Sequence, residues 1–200
     1  MSFKKGGSKK VRNRKETNKL RRVFFVTFLT FLLTIFFSII SQLVIKGIGS
    51  LALSFLFLLF VIFIGIAFDI VGTAAAAASI APLNAKAAKR VSGAKKGVFL
   101  VQNADLVSNI CNDVVGDIAG VVSGVIGAYI IFQLALRGGL AEAYLSVFLT
   151  GLVAALTVGG KAIGKTMAIN RSDIIILLVG KVLTQIEIFF SLNKRSLNKR

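Results

Sequence analysis

Residues 23–45 read VFFVTFLTFLLTIFFSIISQLVI, 23 residues without a charge. A helix needs about 20 apolar residues to cross the hydrocarbon core of a bilayer. A secretory signal carries a shorter apolar core of about 7–15 residues and a small-residue cleavage site. This run is longer, and Lys46-Gly47-Ile48 follows it. The stretch therefore predicts a retained spanning helix, and with it an all-α membrane protein.

Working outward, Gly47-Ile48-Gly49-Ser50 predicts a tight turn and Leu51–Phe68 a second span. That helix is expected to run on through Asp69 until Pro82, which ends or kinks it. Lys86, Lys89, Arg90, Lys95 and Lys96 form a short basic loop. A third span covers about Ser108 to Leu136, and a nearly neutral loop, Arg137–Glu142, leads to a fourth at about Ala143 to Val158. The last apolar stretch, Ile174–Leu192, is interrupted by Gly180, Lys181, Gln185 and Glu187. It predicts a juxtamembrane helix at the interface or against the bundle. The domain reading is a basic tail over 1–22, a polytopic helical membrane domain over 23–192 and a basic tail over 193–200.

Composition agrees. The chain is 56% hydrophobic and 16% charged, whereas soluble domains carry about 25% charged residues. Its net charge of +17 is placed by topology. The tail, the Lys86–Lys96 loop and everything after Lys161 are basic, while the two other loops carry Lys46 and Arg137. Four spans with both termini in the cytoplasm of a cell-membrane protein satisfy the positive-inside rule at every loop. The basic tails are expected to meet anionic lipid headgroups, and no specific nucleic-acid partner is expected. The chain has no histidine and one cysteine, Cys111. Zinc and haem sites of the usual kinds and Ser-His-Asp hydrolysis are thereby excluded, and no enzyme is predicted.

Polar residues in a spanning helix are costly and call for a partner or a role. Asp105, Asn109, Asp113 and Asp117 recur every four residues, with Ser108 and Asn112 beside them. Residues four apart share a helix face. The column continues as Gly116, Gly120, Gly124 and Ala128, and Gly151, Ala155 and Gly159 repeat the spacing on the fourth span. Small residues so spaced let helices approach closely in lipid, within the chain or at a dimer seam. Asp69 and Thr73 are expected at the depth of Asp113 and Asp117. Together with Asn112 and Asn109 these oxygens suit a hard cation, Mg2+ among them. The alternative is that the carboxylates pair with Lys86, Lys89, Lys161 or Lys165 and merely order the bundle.

From Phe68 to about Leu183 the order of features resembles the transmembrane domain of the cyclin M / CorC (CNNM-type) magnesium transport proteins. The residues concerned are Gly72-Thr73-Ala74-Ala75, the basic segment Asn84–Gly97, Asn103-Ala104-Asp105 with Asn112 and Gly116-Asp117, and the run from Gly160 to Ala168. The family's second-span glutamate falls on Gly72 or Thr73 here, the glutamate of its closing motif on Lys161 and the proline on Gly164. The resemblance implies a diverged homodimeric member without the CBS domains, binding or moving magnesium through Asp113, Asp117, Asn112 and Asp69. The second reading is a non-transporting membrane scaffold or partner subunit that recruits another membrane protein through its glycine stripes.

Overall fold

A computed structural model describes residues 24, 27–44, 47, 50–136 and 140–197, the backbone alone for 140–143 and 192–197. The basic tail 1–22, Lys46, the loop residues Arg137 to Gly139 and residues 198–200 lie outside the described residues. The elements are α1 (Thr27–Val44), α2 (Leu51–Ala77), α3 (Ile80–Ala88), α4 (Ala94–Gln102), α5 (Ala104–Ser108), a π-helical segment (Asn109–Val115), α6 (Gly116–Ala135), α7 (Leu140–Asn170) and α8 (Ser172–Leu197). Among the described residues there is no strand.

Five of these segments are long and apolar enough to cross a bilayer: Thr27–Val44, Leu51–Ala77, Ala104–Ala135, Tyr144–Asn170 and Ser172–Ser191. They expose large apolar side chains on their outer faces; Phe63, for example, is 69% exposed. Exposed apolar surface on this scale marks membrane contact rather than water. The chain is a multi-pass helical membrane protein.

The helices depart from the sequence boundaries in three places. First, α2 stops at Ala77, ahead of Pro82, which sits in the first turn of α3. Proline is tolerated there because no intrahelical donor is lost. The break at Ala78–Ser79 is held from outside, since the Ser79 backbone N–H donates to Asp173 Oδ1 at 3.0 Å. Second, α7 runs to Asn170 through Gly159, Gly160 and Gly164. Third, α8 is one continuous helix across Gly180 and Lys181, and over Ser172–Ser191 it is long and apolar enough to be a fifth span where the sequence predicts four and a juxtamembrane helix.

Two cores result. One lies along the bundle, where Leu58 and Ile62 of α2 meet Val114, Ile118, Val122, Ile126 and Ile130. The other joins Ala74, Ala75, Leu83, Leu100, Ala168 and Ile176, knitting the ends of α2 and α7 to α3, α4 and the start of α8. Glycines set the close approaches. A Cβ on Gly65 would lie 2.9 Å from Ala119 Cβ, and one on Gly72 would collide with Asn112, so α6 runs antiparallel to α2. Ile66 and Ile70 fill the notches left by Gly160 and Gly164, so α7 runs in the same direction as α2. At the far end Gly180 lies on the backbone of Gly93, whose φ of +82° opens the turn into α4.

Candidate functional site

The polar residues of the bundle gather where α2 passes the π-helical segment. Asp69 is 3% exposed, and the Lys165 ammonium lies 3.7 Å from its Oδ2. No hydrogen bond reaches that oxygen. The Lys161 Nζ lies 3.7 Å from where a Cβ on Gly116 would stand, so a second ammonium occupies the same level of the bundle. Nearly one turn further along α2, Gly72 meets Asn112. Its Nδ2 donates to Ser108 Oγ at 3.1 Å, while its Oδ1 is buried without a donor and packs against the bare backbone of Gly72.

The local backbone explains this placement. The Gly116 N–H reaches back to the Cys111 carbonyl, five residues earlier. Such wide turns occur mostly as short insertions and often at functional sites. The turn presents Cys111 and Asn112 to α2, and Gly72 leaves the room they need.

Asp105, Asn109, Asp113 and Asp117 do share one face, as their spacing predicts, but that face is exposed. The expected convergence of Asp69 and Thr73 with Asp113 and Asp117 does not occur: Asp69 is buried against α7, Thr73 is half-buried, and the two carboxylates of the π segment and α6 point away from the bundle. Among the described residues no three His, Cys, Asp or Glu side chains come together in a way that could hold a metal ion. Of the lysines expected to meet Asp113 or Asp117, Lys165 is engaged with Asp69 instead, and neither carboxylate has an ion-pair partner among the described residues. An ionised aspartate at the centre of a lipid-exposed helix costs about 2.5–3.5 kcal/mol on insertion scales.

The glycine stripes divide in the same way. Gly116 faces Lys161, but a Cβ at Gly120, Gly124, Gly151 or Gly159 would meet nothing within 4 Å. Gly124, Ala128, Gly151 and Ala155 are exposed. Packing inside the chain uses Gly160 and Gly164 on α7 and Gly65 and Gly72 on α2, none of which the stripe reading selected. The four-residue spacing of Gly160, Gly164 and Ala168 was available as a signal, and Ala168 is fully buried.

The buried Asp69 carboxylate thus faces the half-exposed Lys165 ammonium. Two acceptor oxygens there lack donors, and a shallow groove of about 220 Å³ opens farther along α6 beside Gly124, Gly127 and Ala128. No family model matches the chain, and no curated protein or solved structure resembles it significantly.

Proposed function

We propose that this chain is a non-transporting membrane subunit, a helical scaffold that engages another membrane protein within the bilayer. The observation that carries the reading is the Lys165 ammonium 3.7 Å from the buried Asp69 carboxylate. A metal ion arriving at Asp69 must displace that lysine, so like charge opposes it. The pair serves instead to fix α7 against α2. On this reading the end of the bundle that carries α3, α4 and the start of α8 faces the cytoplasm, both termini included, with α8 lying along the second core as a juxtamembrane helix. The basic tails then hold anionic headgroups, with about 1 kcal/mol for each Lys or Arg at the surface.

A second reading, binding or transport of magnesium by a homodimer, is favoured by one specific feature. Asp69 Oδ2 and Asn112 Oδ1 are both buried without hydrogen bonds, as oxygens awaiting a hydrated cation would be. The resemblance to the cyclin M / CorC family points the same way. Asp113 and Asp117 would then gather the ion from the exposed side.

Purified chain in proteoliposomes separates the two. The scaffold reading expects no magnesium flux above that of empty vesicles and the same resistance to unfolding with and without magnesium. Saturable flux that Asp69→Asn abolishes, or stabilisation by magnesium that Asn112→Ala removes, overturns it.

A further inference from the structure

Resting on the scaffold reading, we propose that the outward face of α5, the π-helical segment and α6 seats a transmembrane helix of a different protein. That helix carries two Lys or Arg residues one turn apart at its end nearest α3 and α4.

Three observations lie along one line. Asp113 and Asp117 are exposed on a segment apolar enough to span, and no described cation pairs with them. Beyond them Gly120 and Gly124 have open space where a Cβ would stand, and Ala128 is exposed. The line then enters the groove of about 220 Å³ between α2, α6 and α7, floored by Gly124, Gly127 and Ala128 and walled by Phe55 and Leu149. From Asp113 to Ala128 the rise is about 22 Å at 1.5 Å per residue, most of the length of a spanning helix.

Charge selects the occupant. Lipid tails cannot neutralise the two carboxylates, and anionic headgroups repel them. A second copy related by a two-fold axis along the membrane normal, with this face of α6 against its equivalent, would bring the four carboxylates together at one depth, like charge against like. Of the chain's own ammonium groups, Lys165 is engaged with Asp69, and Lys161, which lies beside Gly116, makes no ion pair with either carboxylate. A foreign helix with a cationic pair at that depth satisfies both carboxylates. The glycines let its backbone approach closely, which shortens the charge–charge distance.

The test uses the full chain in nanodiscs of neutral lipid and a synthetic spanning peptide, Leu/Ala-rich, with two lysines one turn apart near one end. Association is read by fluorescence energy transfer. Binding is expected, weakened roughly tenfold or more for each charge pair removed by Asp113→Asn, Asp117→Asn or a Lys→Gln change in the peptide. A peptide with aspartates in place of its lysines should bind the D113K/D117K chain and not the parent. G120L/G124L should abolish binding, while unchanged unfolding in SDS shows that the bundle is intact. Equal affinity for the Lys and Gln peptides overturns the proposal. So does failure of the charge-reversed pair, or efficient cross-linking of two Gly124→Cys chains to each other, which would identify a second copy as the occupant. Absence of peptide binding without magnesium flux sinks this inference and leaves the scaffold reading standing. Saturable magnesium flux sinks the scaffold reading itself.

Discussion

Replacing Gly180 with alanine tests how α8 is held. In an ordinary helix interior, Gly→Ala stabilises by about 1 kcal/mol, because glycine loses more conformational freedom. Here the new methyl would collide with the Gly93 carbonyl oxygen and stand 3.0 Å from the Gly97 amide nitrogen. Both are backbone atoms, and Gly93 is held at φ +82°, so neither can turn aside as a side-chain end could. Forced overpacking costs about 1–3 kcal/mol, and α8 must retreat from α4. Retreat also loosens Ile176, which is fully buried one turn back and packs over Gly97. The Lys96–Glu187 pair, at 2.7 Å with both side chains largely exposed, contributes under about 1 kcal/mol and cannot hold the crossing. The net expectation for Gly180→Ala is a loss of about 1–2 kcal/mol in SDS-titrated unfolding from mixed micelles, with spin labels on α4 and α8 moving apart. Gly151→Ala is the matched control. Nothing lies within 4 Å of its new methyl, so the purified chain should gain up to about 1 kcal/mol. A Gly180→Ala chain as stable as the parent, with the α4–α8 distance unchanged, would refute the crossing and the reason given for it.

Further outcomes are read by the same unfolding measurement. Gly72→Ala should destabilise by roughly 1–2 kcal/mol in the parent and by clearly less once Asn112→Ala removes the obstructing amide; an equal cost in both backgrounds would show that the two residues do not touch. Asp69→Asn should cost about 1–2 kcal/mol, below the figure for a fully buried pair because the Lys165 side chain is half exposed, whereas the apolar double replacement Asp69→Leu with Lys165→Met should recover most of it. Asp173→Ala removes the acceptor for the Ser79 N–H and should cost about 1 kcal/mol, with faster hydrogen exchange at Ser79, while Asp173→Asn should keep much of the bond.

The spans were legible because the signal is cumulative. The apolar residues of Val23–Ile45 or Leu51–Phe68 each add a small transfer term of one sign, and a single polar residue such as Ser54 does not reverse the sum. The four-residue column of Asp105, Asn109, Asp113 and Asp117 was legible as a face for the same geometric reason. Its direction was not. Periodicity says which residues travel together, and it is silent on which side another helix occupies. Asn112 turns inward because α2 offers Gly72 at that level, a fact held 40 positions away in the sequence. The continuity of α8 was hidden likewise. A glycine followed by lysine reads as a break, and only the close approach of Gly93 offsets the cost of Gly180 in a helix interior.

The two families of glycines on α7 bring these points together. Gly151, Ala155 and Gly159 have the spacing of a packing face, and so do Gly160, Gly164 and Ala168 one position over from its end. Spacing alone ranks them equally. Ile66 and Ile70 of α2 fill the second set, and that contact also carries Lys165 to the buried Asp69. Once α7 is seated in this way, its first stripe cannot face α2, and α6, anchored by Asn112 at Gly72, cannot bring Asp113 and Asp117 inward either. The same choice of neighbours that closes the bundle core therefore leaves the acidic face of α6 and its small residues outside it, where only something in the membrane can meet them.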